Sequence, residues 1–104
     1  MEHKIISRRI QFDESGFLVK PETWNEDVAE LIAYRQGLNN LSEAHWNAIY
    51  RVRYLYAECN NVPMVGKICA DLNLTLKDIY KLFYNGPVKG LIKIAGLPKP
   101  DNCL

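Results

Sequence analysis

One long amphipathic segment sets the architecture open to this chain. Ser42 stands where it can cap a helix running from about Glu43 to Asn60. Ile49, Val52, Leu55, Tyr56 and Cys59 fill one broad face, and Trp46, Tyr50 and Tyr54 recur at i, i+4 and i+8 beside it. A helix apolar around so much of its circumference has to be surrounded, so it reads as the centre of a bundle. Asn60-Asn61 and Pro63 break it.

The punctuation on either side gives the other elements. Thr23 or Asn25 can cap a first helix in which Val28, Leu31, Ile32 and the stem of Arg35 keep helical spacing. Glu26 and Asp27 suit the dipole of its first turn, and Gly37 stops it. A third helix runs from Met64 to Leu72, with Val65, Ile68, Cys69 and Leu72 inward. After a turn at Asn73-Leu74, the capping box Thr75-x-x-Asp78 opens a fourth helix through Leu76, Ile79, Tyr80 and Phe83. Asn85-Gly86 ends it, and Pro87 takes the first position of a fifth helix, Val88 to Ala95, which Gly96 terminates. Ahead of the helices, Ile5, Ile6, Ile10 and Phe12 give Lys4 to Phe12 the character of a strand. Asp13-Glu14-Ser15-Gly16 reads as a turn, and Phe17-Leu18-Val19 as a returning strand that Pro21 ends. The expected fold is α+β and mostly helical: a small N-terminal β-hairpin or meander packed on about five helices. Residues 1–96 are read as one domain and 97–104 as an extended arm, which Pro98 and Pro100 keep close to polyproline II.

Composition narrows the function. With 48% apolar and 24% charged residues in 104, the chain can bury a core and is not read as disordered. Its 13 basic and 12 acidic side chains leave it almost neutral, so no overall field draws it to nucleic acid or membrane. It has no apolar run of membrane-spanning length. The start Met1-Glu2-His3-Lys4-Ile5-Ile6 is too short and too polar for a secretory signal, which predicts a cytoplasmic location. There is no Cys-x-x-Cys, and neither His3 nor His45 has a Cys or His three or four residues away, so neither a metal nor another cofactor is expected.

The cysteines divide into two kinds. Cys59 and Cys69 fall on apolar helix faces and read as small core residues, and a reducing compartment argues against a disulfide between them. Cys103 lies on the arm, next to the last residue. Eight residues extend at most about 26–29 Å, far enough to enter another protein's active site. From Thr75 onward the charge is net +3, against net −2 for residues 1–74. Nearby cations favour thiolate over thiol, while the terminal carboxylate acts the other way. Such an exposed thiol suits sulfur transfer: a thiolate attacks sulfane sulfur, becomes a persulfide and presents it to an acceptor thiol.

The segment Gly86-Pro87-x-Lys89 followed by Lys93-Ile94-Ala95-Gly96-Leu97-Pro98-Lys99-Pro100-x-x-Cys103-Leu104 resembles the C-terminal signature of the DsrC/TusE family of sulfur-relay proteins. Leu41-Ser42-Glu43-x-His45-Trp46 with Arg53-x-x-Tyr56 is similar to the family's long helix, and Phe12-Asp13-x-x-Gly16-Phe17-Leu18 to its hairpin. The resemblance implies a β-meander against about five helices, with the arm last. It also implies that Cys103 carries sulfur, in a carrier with a covalent persulfide rather than a stand-alone catalyst. Lys93 and Lys99 would then give electrostatic support or docking contacts, with Gly96 and Leu97 in the arm motif and Pro98 and Pro100 as stiffeners. Partners implied are sulfur-donor and sulfur-acceptor proteins of a relay such as tRNA 2-thiouridine formation, or a dissimilatory sulfite reductase. Two-cysteine relatives carry their second arm thiol directly before the lysine matching Lys93. Ile92 stands there, so this chain resembles a single-cysteine variant. Gly66, where relatives often have an arginine, and a shorter segment between the third and fourth helices also depart from the pattern.

Two other readings compete. The first is a non-catalytic or regulatory partner of a sulfite reductase-type system, with the arm as a docking peptide. The second is a helix-turn-helix DNA-binding regulator built on Ile68 to Phe83, with Lys77 and Lys81 as candidate DNA contacts. That helix offers no arginine or glutamine to base edges, and two short helices packing together account for the same pattern. His45 is read as a half-buried helix residue, and Trp24, Trp46 and the tyrosines as core and rim packing. Arg51 and Arg53 either line a positive groove for the arm or belong to a solvated face. Arg8-Arg9 is too short for a nucleic-acid patch.

Overall fold

A computed structural model describes residues 10–100. Most of the first expected strand (residues 4–9), His3 and Cys103 lie outside them. Four α-helices follow in order: α1, Glu26–Arg35; α2, Glu43–Cys59; α3, Val65–Leu72; and α4, Leu76–Leu82. A 3₁₀ turn, Pro21–Thr23, precedes α1, and a π-helix, Pro87–Ile92, follows α4. The chain is thus mostly helical.

The β part of the expectation is met only in its turn and one bridge, and most of its first strand lies outside the described residues. Among the described residues there is no strand, only one antiparallel bridge between Phe12 and Leu18. The turn itself forms as read: the Asp13 carboxylate accepts from the backbone N–H of Ser15 and of Phe17 at 2.8 and 2.9 Å. Pro21 opens the 3₁₀ turn directly afterwards, which leaves too little extended chain for a ladder. Phe17 and Leu18 nonetheless enter the core, and the pairing stays local to this bridge, with the Val19 N–H donating to the Gln11 carbonyl at 2.8 Å.

The helix limits follow local chemistry. Asn25, not Thr23, caps α1, its Oδ1 accepting from the Val28 N–H at 2.9 Å. At the other end Gly37 takes φ +90°, and the N–H groups of Gly37 and Leu38 reach the carbonyls of Tyr34 and Ala33. This Schellman motif buries Leu38 against the helix that it closes. Thr75 and Asp78 form the expected reciprocal capping box on α4. The core joins Val28, Ile32, Ile49, Val52, Ile68, Ile79, Phe83, Leu91, Ile92, Ile94 and Leu97, with α2 packed against both α3 and the π-helix. Each such side chain stabilises the fold by about 1.5–3 kcal/mol relative to exposure.

Three further expectations are refined. Cys59 is exposed at the end of α2, because the apolar face stops at Leu55; Cys69 is half-buried against the core. Of the positions whose spacing marked α4, Leu76 and Tyr80 are exposed, and only Ile79 of that helix is buried. The fifth helix is present and opens at Pro87, but it is wide: Pro87–Ile92 is π-helical, with the Lys93 N–H reaching back to Val88 as well as Gly90. The wider turn lets three consecutive residues, Gly90, Leu91 and Ile92, face inward. The Gln36 side chain, at the end of α1, supports it by donating to the Lys89 carbonyl at 2.9 Å.

Candidate functional site: the root of the arm

The last helical segment ends at Gly96, and that end is held by side chains from two other elements. The Trp24 indole N–H, from the segment before α1, donates to the Ile94 carbonyl at 2.9 Å. From α2, Arg53 Nη1 donates to the next carbonyl, that of Ala95, at 2.7 Å. The two grips also touch each other, with the Arg53 guanidinium 4.0 Å above the Trp24 ring. Partial burial lowers the pKa of Arg53 from its ordinary value, with Tyr50 opposing. Gly96 takes φ +76°, and a Cβ there would lie 2.3 Å from Trp24 Cδ1. Glycine is therefore required twice, by the backbone and by the indole that covers it.

Beyond Gly96 the chain does not come free at once. Leu97 is buried, Pro98 and Pro100 are half-buried, and Lys99 is exposed. An open groove of about 380 Å³ lies beside this exit, lined by Pro21, Glu22, Arg53, Tyr56, Ala57 and Leu97. Of the two arginines considered for such a groove, Arg53 lines it. Arg51 instead pairs with Asp71 of α3 at 3.4 Å.

The expected arm and docking residues separate. Lys93 lies at the hairpin turn, its Nζ 5.0 Å from the centre of the Phe17 ring. Burial lowers its pKa from the usual lysine value and Lys89 adds to that, while Asp13 acts in the opposite sense. Lys77 and Lys81 are exposed on α4. The α3–α4 pair does have helix-turn-helix form, with Asn73 in the left-handed conformation at the corner. The first turn of α4, however, already holds the Asp78 carboxylate against the Thr75 N–H at 3.0 Å. An anion is thus built in where a nucleic-acid phosphate would approach a helix start.

Two roles carry no local signal. Trp24 and Arg53 bond carbonyls 70 and 42 residues away; the resemblance of Arg53-x-x-Tyr56 and the groove reading drew attention to the arginine without naming its acceptor. His45 is the third residue of α2, where a capping box ordinarily has Glu or Gln. Its Nδ1 accepts from the Ser42 N–H at 3.0 Å, and its Nε2 donates to the Leu82 carbonyl at 2.7 Å. The ring also meets Phe83 edge-on at 5.1 Å. Both nitrogens are occupied in joining α2 to the end of α4, so His45 is structural. Among the described residues, no group of three or more His, Cys, Asp or Glu side chains could hold a metal ion, and no helix is long and apolar enough to cross a membrane.

A mostly helical body closed by Gly-Leu-Pro-Lys-Pro is the architecture of this chain, and it belongs to the DsrC family, whose model, described as "DsrC like protein", matches residues 4–104. Among individual relatives, the sulfurtransferase TusE homolog of Haemophilus influenzae is 39% identical over 103 residues, covering 91% of this chain and 93% of its own. The gamma subunit of the dissimilatory-type sulfite reductase of Nitratidesulfovibrio vulgaris is 33% identical over 97 residues, covering 93% and 92%. Among solved structures, the oxidized gamma subunit (DsrC) of the dissimilatory sulfite reductase from Archaeoglobus fulgidus superposes with a TM-score of 0.80 at 36% identity. That match covers 91% of this chain and 92% of that one.

Proposed function

We propose that the chain is a sulfur carrier that holds sulfane sulfur as a persulfide on Cys103. The Cys103 thiolate attacks the terminal sulfur of a donor persulfide. A new S–S bond forms at Cys103 as the donor's S–S bond breaks, and the donor leaves as a thiolate that takes up the proton Cys103 gave up. An acceptor thiolate then repeats the exchange on the Cys103 persulfide. Sulfur moves with no net oxidation, so neither metal nor redox cofactor is needed.

The observation that carries this reading is end-to-end similarity to sulfurtransferases of the TusE type, together with the arm motif that leads to Cys103. Ile92, buried in the core where two-cysteine members have a thiol, favours a single-cysteine carrier. Donor and acceptor proteins would meet the arm at Lys99, Pro98 and Pro100. A sulfite reductase is the partner suggested by the gamma-subunit relative, and the family resemblance of the arm motif implies a tRNA-thiolation relay as the other.

Incubation with inorganic polysulfide tests the reading. The intact protein is expected to gain the mass of one sulfur, removable by reductant, and peptide mapping should place it on Cys103. Because Cys59 is also exposed, the deciding comparison is between variants. The adduct should persist in Cys59→Ser and disappear in Cys103→Ser, and the reverse result overturns the assignment.

A further inference from the structure

The helical segment that delivers the arm ends with more hydrogen-bond donors than an ending needs. A helix leaves its last four carbonyls without intrahelical partners. Here the Leu97 N–H reaches Ile92 O at 3.3 Å and the Gly96 N–H reaches Lys93 O at 3.0 Å. Trp24 and Arg53 take the remaining two, those of Ile94 and Ala95. The end of α1 provides an internal comparison, since it closes with the same Gly-Leu pattern at Gly37-Leu38 and the same pair of backbone bonds. Among the described residues no distant side chain bonds the carbonyls there. Glycine and leucine alone therefore suffice to stop a helix in this protein, and the two imported donors at the arm root answer a different need.

From this contrast we infer that Trp24 and Arg53 are positioning residues, which fix the direction in which residues 97–100 leave the helical body. Two consecutive carbonyls bonded by side chains from two different elements, Trp24 before α1 and Arg53 on α2, resist rotation about the axis of the segment. The indole over Gly96 closes the third side, since a Cβ at that position would collide with Trp24 Cδ1 at 2.3 Å. Leu97 is anchored in the core, and Pro98 and Pro100 each fix one backbone dihedral, so the orientation set at Ala95 and Gly96 is passed outward. The inference rests on the carrier reading for its purpose, but its geometry does not involve sulfur.

Double electron–electron resonance on the full chain tests it. Nitroxide labels are placed on native, exposed Cys59 and on Lys99→Cys, with Cys69→Ala and Cys103→Ser removing the other thiols. The parent is expected to give one narrow distance distribution. Arg53→Met, which keeps the stem over the indole but removes the donor, should broaden it and shift its mean; Arg53→Lys should recover the parent in part. Trp24→Phe, lacking the N–H but retaining a ring, should also broaden it, and it serves where Trp24→Ala does not fold. Ile79→Val, which loosens the core elsewhere, should leave the distribution unchanged. A parent distribution already as broad as that of Arg53→Met, or equal broadening by Ile79→Val, overturns the inference. Because Cys103 is absent from this protein, failure here is distinct from failure of sulfur loading.

Discussion

The Arg53 guanidinium lies 4.0 Å above the Trp24 ring while the two side chains donate to adjacent carbonyls at the exit of the arm. Neither grip is independent of the other: the arginine is held over the indole, and the indole is held against Gly96. A charge-assisted bond from a part-buried guanidinium contributes about 1.5–3 kcal/mol. Arg53→Met should lower stability by about that much in urea unfolding. An unchanged midpoint would mean that the Ala95 carbonyl finds water instead.

Gly96 and Gly37 separate two costs. Gly37→Ala meets no atom within 4 Å, so only the left-handed backbone is penalised, by about 1–2 kcal/mol. Gly96→Ala adds the displacement of Trp24 and the loss of its hydrogen bond, at least about 1 kcal/mol more. Equal losses for the two variants in chemical denaturation would show that the indole yields without cost.

His45 should be found as the Nε2–H tautomer by long-range proton–nitrogen correlation, because the Leu82 carbonyl can only accept and Nδ1 is taken by the Ser42 N–H. His45→Ala, leaving both partners unpaired, should cost about 1–3 kcal/mol. An Nδ1–H spectrum would contradict the arrangement.

Two groups predict opposite pH limits. The Thr75 backbone N–H, first, and its hydroxyl hold Asp78 below the ordinary carboxylate value. A depressed folded-state pKa contributes stability above the unfolded value of about 4, and that contribution is lost as pH falls through the folded one. Protection of the first amides of α4 from hydrogen exchange should therefore fade in acid, and Asp78→Ala should remove the dependence. Tyr50 is raised, chiefly by its hydrogen bond to Glu26 and then by burial. Its contribution is complete below about pH 10 and is lost as pH rises through the folded value. Glu26→Gln should weaken that alkaline dependence in thermal melts.

The cysteines should label in a definite order. Exposed Cys59 should react with a small alkylating reagent well before half-buried Cys69 in native protein, as read by peptide mapping over time. Equal rates would place α3 in exchange with an open form.

Much of the scaffold was legible in residues read one after another. The caps at Ser42 and Thr75 and the stops at Gly37 and Gly96 follow from contacts spanning three to five residues. The arm motif likewise pointed to the family, and the match from residue 4 to residue 104 agrees. The hairpin was legible in its turn, where Asp13 bonds within four residues, and in the Phe12–Leu18 bridge; no strand forms among the described residues. Cys59 misled because helical spacing extends a face past the point where neighbouring elements still cover it.

The sequence by itself determined where the helices start and stop, since capping and steric exclusion act within a turn. Only the tertiary structure decided what holds the end of the last helical segment. Trp24 and Arg53 reach carbonyls 70 and 42 residues away, and His45 reaches Leu82 across 37. The widened turn at Pro87–Ile92 belongs with them, because the Gln36 donor that supports it comes from the end of α1. A donor's type is written in the chain, but its acceptor is chosen by which surfaces the packed helices bring together.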